Sequence, residues 1–362
     1  MEHEGGVAYQ KVGGEYFQKR GLRRHAGVFS LWALGVAAVI SGDFSGWNLG
    51  FAVGGWGGMF IATLIITTMY LGLTYSIAEM SPALPHTGGA YSFARTAFGQ
   101  WGGFITGVAE NIEYVLTPAV VVFFIGAYLT QIFGTPDGFQ PAWWILGYLV
   151  FVGLNARGVE LSFTVTVIVT LVALAILVLF FVSGIPSIDF GKYAMNIGAD
   201  PVTGAAVELP EGHGPFLPFG GYGVLAALPF AVWLFLAIEQ LPLAAEEAVD
   251  PKRDMPKGIM LGMFTLIAAG FLVLIINPAI PITREITDAT GATVTVHGAF
   301  ALGSSGEPIL DGFRAITVRV WRNCLRSLRL PAWWRASMPS SSPTGGRSTR
   351  SLAPATFRAG YR

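Results

Sequence analysis

Ile40–Phe51 reads ISGDFSGWNLGF. It sets Asp43 and the glycines 42, 46 and 50 inside an apolar segment long enough to cross a bilayer. Each glycine costs a helix roughly 1 kcal/mol, and a carboxylate at mid-membrane depth is costly as well. Irregular backbone is tolerated at that depth only where it lines a cavity or is buried in protein. The segment therefore predicts a spanning helix that is interrupted and carries an acid at its break. Membrane transporters build substrate sites from such breaks.

The rest of the chain suits that environment. Of the 362 residues 53% are hydrophobic and 12% charged, about half the charge of a soluble domain. This composition implies an all-α polytopic membrane protein. The single cysteine, Cys324, leaves no internal disulfide and no cysteine metal cluster. Residues 1–26 are polar, carry Lys11, Lys19, Arg20, Arg23 and Arg24, and show no cleavable signal peptide. They read as a cytoplasmic tail.

Apolar runs of spanning length occur at about 27–52, 55–80, 102–133, 142–156, 161–184, 221–245 and 258–282. With the N-terminus inside, the cytoplasmic loops hold Arg95, Arg157, Lys252, Arg253 and Lys257, while the outer loops are poor in Lys and Arg. The expected organisation is a tail (1–26), five spans (27–184), an outer loop (185–220), two further spans (221–282) and a second outer loop (283–316). Residues 317–362 differ from everything before them, with nine arginines and no Lys, Asp or Glu. The other residues hold 13 basic and 22 acidic side chains. Such a split points to two unlike segments joined together, here an out-of-frame end that truncates the protein. The rival is an amphipathic helix with Arg319, Arg322, Arg326 and Arg329 on one face and Trp321, Leu325 and Leu328 on another. Pro331 would end it.

Three stretches carry a family resemblance. Glu79–Gly99 (EMSPALPHTGGAYSFARTAFG) resembles the loop after the second helix of amino acid–polyamine–organocation permeases. Leu228–Gly258 (LPFAVWLFLAIEQLPLAAEEAVDPKRDMPKG) resembles their sixth helix and the loop behind it. ISGDFSGWN stands where they break their first helix. Within the family, SGDFSGWN and AIEQLPLAAEE look most like ethanolamine permeases. The resemblance implies two inverted five-helix repeats, with helices one and six broken and facing each other across the substrate. This chain supplies the first repeat and only helices six and seven of the second, about seven spans, with helices eight onward missing.

The resemblance also implies that backbone N–H groups in the first break receive a substrate carboxylate. Asp43 would compete for those donors and attract an ammonium group instead. The expected substrate is therefore ethanolamine or a similar small cationic amine without its own carboxylate. Asp43 also suits a helix cap, and both roles can hold. Gly42 and Gly46 permit unwinding or tight helix packing; Ser41 and Ser45 offer hydroxyls to the substrate or to freed backbone groups. The glycines of GGWGG (54–58) read as turn and packing residues. Glu239, in the sixth span, is a functional candidate by its depth alone: it can bind the amine, take up a coupling proton, brace the break or bridge helices. Pro242 loosens the same helix, and Gln240 is a weaker candidate of the same kind. Trp233 and Phe235 can cover an ammonium by cation–π contact or simply pack. Glu110 and Glu113 share one helical face and form, with Glu239, a coupling or cation path, or hydrogen-bonded packing. Tyr114 is a hydroxyl partner for them. Glu246, Glu247, Asp250, Lys252, Arg253 and Asp254 suit a gate, a helix cap or a solvated cluster.

No enzymatic role is indicated. His3, His25, His86, His213 and His297 are scattered, without metal-ligand spacing, and no nucleophile–base motif occurs. No cofactor, metal, catalytic residue or nucleic-acid partner is expected. The reading is a secondary transporter that imports a small amine across the plasma membrane, a bacterial inner membrane, with its N-terminus in the cytoplasm and the lipid bilayer as surroundings. The alternatives are an amino acid permease of the same superfamily and a truncated fragment that does not transport.

Overall fold

The structure, a computed structural model, describes residues 2–4, 7–9, 24–84, 88–157, 159–195, 213–287 and 293–327. The basic residues 11, 19, 20 and 23, His86, the centre of the 185–220 loop and the tail from 328, with Arg329 and Pro331, lie outside the described residues.

The described chain is mostly helical. Its helices are α1 (Val28–Val39), α2 (Ser41–Phe44), α3 (Gly50–Ala83), α4 (Gly89–Phe133), α5 (Gln140–Ala156) and α6 (Val159–Gly184). There follow α7 (Phe190–Tyr193), α8 (Gly220–Val232), α9 (Pro251–Ile276), α10 (Gly298–Leu302) and α11 (Pro308–Ser327). Strands β1 (Glu2–Glu4) and β2 (Val7–Tyr9) pair antiparallel, as do β3 (Thr283–Thr287) and β4 (Thr293–His297), where Thr283 faces His297. Among the described residues four helical stretches are long and apolar enough to cross a membrane: Val28–Ala83, Gly89–Phe133, Thr164–Ser187 and Pro251–Ala279. Gly220–Val232 is a shorter apolar helix.

Glycines bend the long stretches. Gly55 adopts φ 64° within α3. A Cβ on Gly50 would stand 2.5 Å from Sδ of Met59, although residues nine apart in a straight helix are about 13 Å apart along the axis. The chain therefore folds back at Gly55, and Val28–Ala83 accommodates two of the expected spans. Gly99, at φ 71°, makes the same kind of break in α4. Residues 89–98, expected as part of a loop, are thus a short helix ahead of the third span.

Small residues let the inner helices approach closely, as membrane packing requires. A Cβ on Gly54 would stand 2.9 Å from the carbonyl oxygen of Gly223 on α8, and one on Gly258 of α9 2.7 Å from Cβ of Leu31 on α1. Polar clips join the same elements: Trp32 Nε1 donates to Thr265 Oγ1 at 3.0 Å, and Trp56 Nε1 to the carbonyl of Leu274 at 2.9 Å. The core lies among α1, α3, α8 and α9. By contrast, α4, α5 and α6 present exposed Phe104, Val115, Leu149 and Val182, side chains suited to lipid.

Within 283–316, expected as an outer loop, residues 283–287 and 293–307 form a packed cap. The β3–β4 hairpin leads into α10, whose residues Ala299, Ala301 and Leu302 are buried. Helix α11 crosses positions 316–317 without interruption.

Candidate functional site

The site begins where two helices lose their regularity. After Val39 the first span makes a single turn, α2, and then Ser45 is extended and Gly46 takes φ 101°. A 3₁₀ turn (Trp47–Leu49) restarts the helix. Opposite, α8 ends at Val232, Ala237 adopts φ 85°, and a 3₁₀ segment, Ile238–Ala244, contains Pro242. Ala237 is the one non-glycine with positive φ among the described residues. Such strain concentrates at functional sites. Glu239, expected within the broken sixth span, lies in this 3₁₀ segment.

The two breaks touch. A Cβ on Gly42 would overlap the carbonyl oxygen of Trp233, and one on Gly46 would overlap the Trp233 indole. Glycine is thus required at both positions by contact, and at Gly46 also by backbone angle. Asp43 is fully buried, and neither carboxylate oxygen has a hydrogen-bond partner among the described residues. Its Oδ1 lies 3.6 Å from where a Cβ on Gly270 would stand, beside Leu234. Trp233 Nε1 is likewise buried without a partner. Gly42, Asp43, Gly46 and Trp233 thus come together, and half-buried Ser41 begins the same turn.

Ser45 and Phe235 point elsewhere. Ser45 Oγ, with one proton to donate, lies 2.7 Å from the carbonyl oxygen of Phe44 and 3.1 Å from that of Gly306, which sets the break beside the cap. Phe235 is buried with its ring 5.7 Å from that of Tyr70.

Glu239 belongs to a second polar cluster. Gln240 Nε2 donates to Glu113 Oε1 at 2.8 Å, joining the 3₁₀ segment to α4. Glu110 bonds with Tyr114, and the charges of Glu110 and Glu113 act on Glu239. Glu239 Oε2 is buried without a hydrogen-bond partner among the described residues. The structure thus brings the three acids into one neighbourhood. A 320 Å³ cleft lined in part by Gly35, Gln240 and Glu247 reaches this neighbourhood from the end of the molecule where His25 and Ala26 donate backbone N–H bonds to the carbonyl of Glu247. Lys252, Arg253 and Asp254, expected in a loop, form the first turn of α9, where Asp254 Oδ2 accepts from the backbone N–H of Asp250 at 3.1 Å. Among the described residues no three His, Cys, Asp or Glu side chains converge as a metal ion would need.

Two residues that hold the first break in place escaped the sequence reading. Asn48, fully buried, accepts from the Gly46 N–H through Oδ1 (3.1 Å) and donates through Nδ2 to the carbonyls of Leu302 (2.6 Å) and Ser305 (2.8 Å). Tyr128 donates to the carbonyl of Phe44 at 2.8 Å and accepts from the Ile309 N–H at 3.3 Å. The only hint was polar residues in apolar runs.

Comparison with known proteins fits this architecture. Residues 30–325 match the family model for amino acid permeases. The chain is similar to an uncharacterized transporter of Rhizobium meliloti, 28% identical over 338 residues, covering 88% of this chain and 68% of that protein. It is similar to cationic amino acid transporter 7, chloroplastic, of Arabidopsis thaliana (26% over 277 residues; 68% of this chain, 45% of the relative). A branched-chain amino acid permease of Bacillus subtilis is also 26% identical, over 304 residues (81% of this chain, 62% of the relative). The chain therefore spans less than two thirds of the length of two of these three relatives. With a family match over most of its length and helices of membrane-spanning character, this chain is a membrane protein of the amino acid permease family.

Proposed function

We propose that the protein is a secondary transporter of small cationic amines, ethanolamine or a close analogue, with Asp43 as the ammonium-binding group. The observation that carries this reading is the Asp43 carboxylate, fully buried and unpartnered in the first break. A bare buried charge is expensive. With the Trp233 carbonyl close to Gly42, the neighbourhood offers acceptors to a cation, and an ammonium ligand supplies the missing donors. The Trp233 indole adds a π face.

The full reading places two inverted repeats around the facing breaks, imports substrate across a bacterial inner membrane with the N-terminus in the cytoplasm, and assigns Glu110, Glu113 and Glu239 to a coupling-proton path. The cap then lies outside the cell. A second reading, an amino acid as substrate, is favoured by relatives named for cationic and branched-chain amino acids.

Binding of labelled ethanolamine to the purified 362-residue chain in nanodiscs tests the proposal directly. Saturable binding that Asp43→Asn reduces at least a hundredfold supports it. No binding, or full binding by a folded Asp43→Asn variant, refutes it. Displacement by amino acids more strongly than by ethanolamine favours the second reading.

A further inference from the structure

Gly46 follows Asp43 by three residues in the break, with its α-carbon close against the Trp233 indole. At membrane depth a backbone N–H freed from its helix has to find a partner. In a site built for a carboxylate, the ligand is that partner. Here Asn48 is: its Oδ1 accepts the Gly46 N–H at 3.1 Å. The orientation of the Asn48 amide follows from its surroundings. Its Nδ2 faces two carbonyl oxygens, of Leu302 and Ser305, and its Oδ1 faces a donor. The reverse orientation would set acceptor against acceptors and donor against donor. All three contacts are buried, so the arrangement is held firmly and a ligand does not displace it cheaply.

We propose that Asn48 is a specificity-determining residue: by occupying the Gly46 N–H it removes a donor that a substrate carboxylate needs, and so restricts the site to amines that lack one. The inference rests on the amine-binding role of Asp43 and adds a second, separable reason for excluding amino acids. Asp43 repels a carboxylate by charge; Asn48 denies it a hydrogen bond. The same side chain pins the 302–305 backbone over the break, so selectivity and closure of the cap share one residue.

L-Serine and ethanolamine form the decisive probe pair, since serine is ethanolamine bearing a carboxylate. Serinol replaces that carboxylate with a neutral hydroxymethyl group of similar size. Labelled ethanolamine bound to the full chain in nanodiscs is displaced by each competitor in turn. We expect serinol to compete and L-serine to be at least tenfold weaker. Asn48→Ala frees the Gly46 N–H and narrows the serine-to-serinol gap at least tenfold. Asn48→Ser narrows it too, because its shorter arm does not reach Gly46 while its hydroxyl still serves a cap carbonyl. Arg284→Gln, which loosens the cap away from the break, leaves the gap unchanged.

A wild-type protein that binds serine as well as serinol overturns the inference. So does an Asn48→Ala or Asn48→Ser variant that binds ethanolamine and still excludes serine fully, or an Arg284→Gln variant that admits serine equally. These outcomes leave the Asp43 reading intact. Failure of ethanolamine to bind the wild type, or its binding to Asp43→Asn, refutes that reading and this inference with it.

Discussion

The carbonyl oxygen of Trp233 rests on the α-carbon of Gly42, so closely that any side chain at position 42 would overlap it. Both partners are backbone, and neither can swing aside. Gly42→Ala therefore forces the two breaks apart. Overpacking of this kind costs about 1–3 kcal/mol, and the expected result is a lower thermal midpoint in detergent together with lost ethanolamine binding. An unchanged midpoint would show that the breaks are not held in contact.

Gly270 offers the contrasting case. A methyl group there would lie 3.6 Å from Asp43 Oδ1 and 3.6 Å from Cδ2 of Leu234, ordinary contact distances. Within α9, Ala is preferred to Gly by about 1 kcal/mol. Gly270→Ala should fold at least as well as the wild type yet bind ethanolamine several-fold more weakly, because the methyl occupies space in front of the carboxylate. Calorimetry beside a melting curve separates the two effects. Unaltered affinity would mean that the ligand approaches Asp43 from another side.

The bond from Gln240 Nε2 to Glu113 Oε1, 2.8 Å long, holds the 3₁₀ segment to α4. Removing one partner leaves the other half-buried and unsatisfied, at roughly 1–3 kcal/mol. Gln240→Leu and Glu113→Leu should each destabilise, and the double variant should cost less than the sum. Strict additivity in chemical unfolding would show that the bond contributes nothing.

The cap should respond to pH through Glu307. This residue is 5% exposed. Burial, reinforced by the charge of Asp311, pushes its carboxyl from 4.5 up to about 7. Arg284 stands 3.8 Å away and, with Arg314, offsets this only in part; Asp137 adds to the rise. A folded-state value above the unfolded one means that stability is complete below about 4.5 and is lost as pH rises towards about 7. The loss is on the order of 3 kcal/mol. Hydrogen exchange across 298–307, corrected for its intrinsic rate, should quicken between pH 5 and pH 8, and Glu307→Gln should flatten the change. Slower exchange at the higher pH would contradict this account.

Much of the architecture was legible beforehand, for a local reason. Solvation of a spanning segment depends on its own composition, so the runs expected at 142–156, 161–184 and 221–245 stand close to α5, α6 and α8 with its 3₁₀ extension. Gly46 and Gly55 marked departures from helix because the absence of a side chain is itself a local property. The helix at 89–98 was missed because short surface helices carry a weak apolar signal. The packed cap was missed because its apolar run, Ala299–Leu302, is only four residues long, far short of a spanning segment.

The sequence by itself determined that acids and glycines interrupt an apolar, membrane-spanning chain, since the cost of each in a lipid-exposed helix follows from the residue alone. Which groups answer those interruptions was decided only in three dimensions. Asn48 meets Leu302 across 254 residues and Gln240 meets Glu113 across 127, while Asp43 meets none among the described residues. Hydrogen bonds act over about 3 Å, and contacts that short between distant residues exist only once the helices have packed.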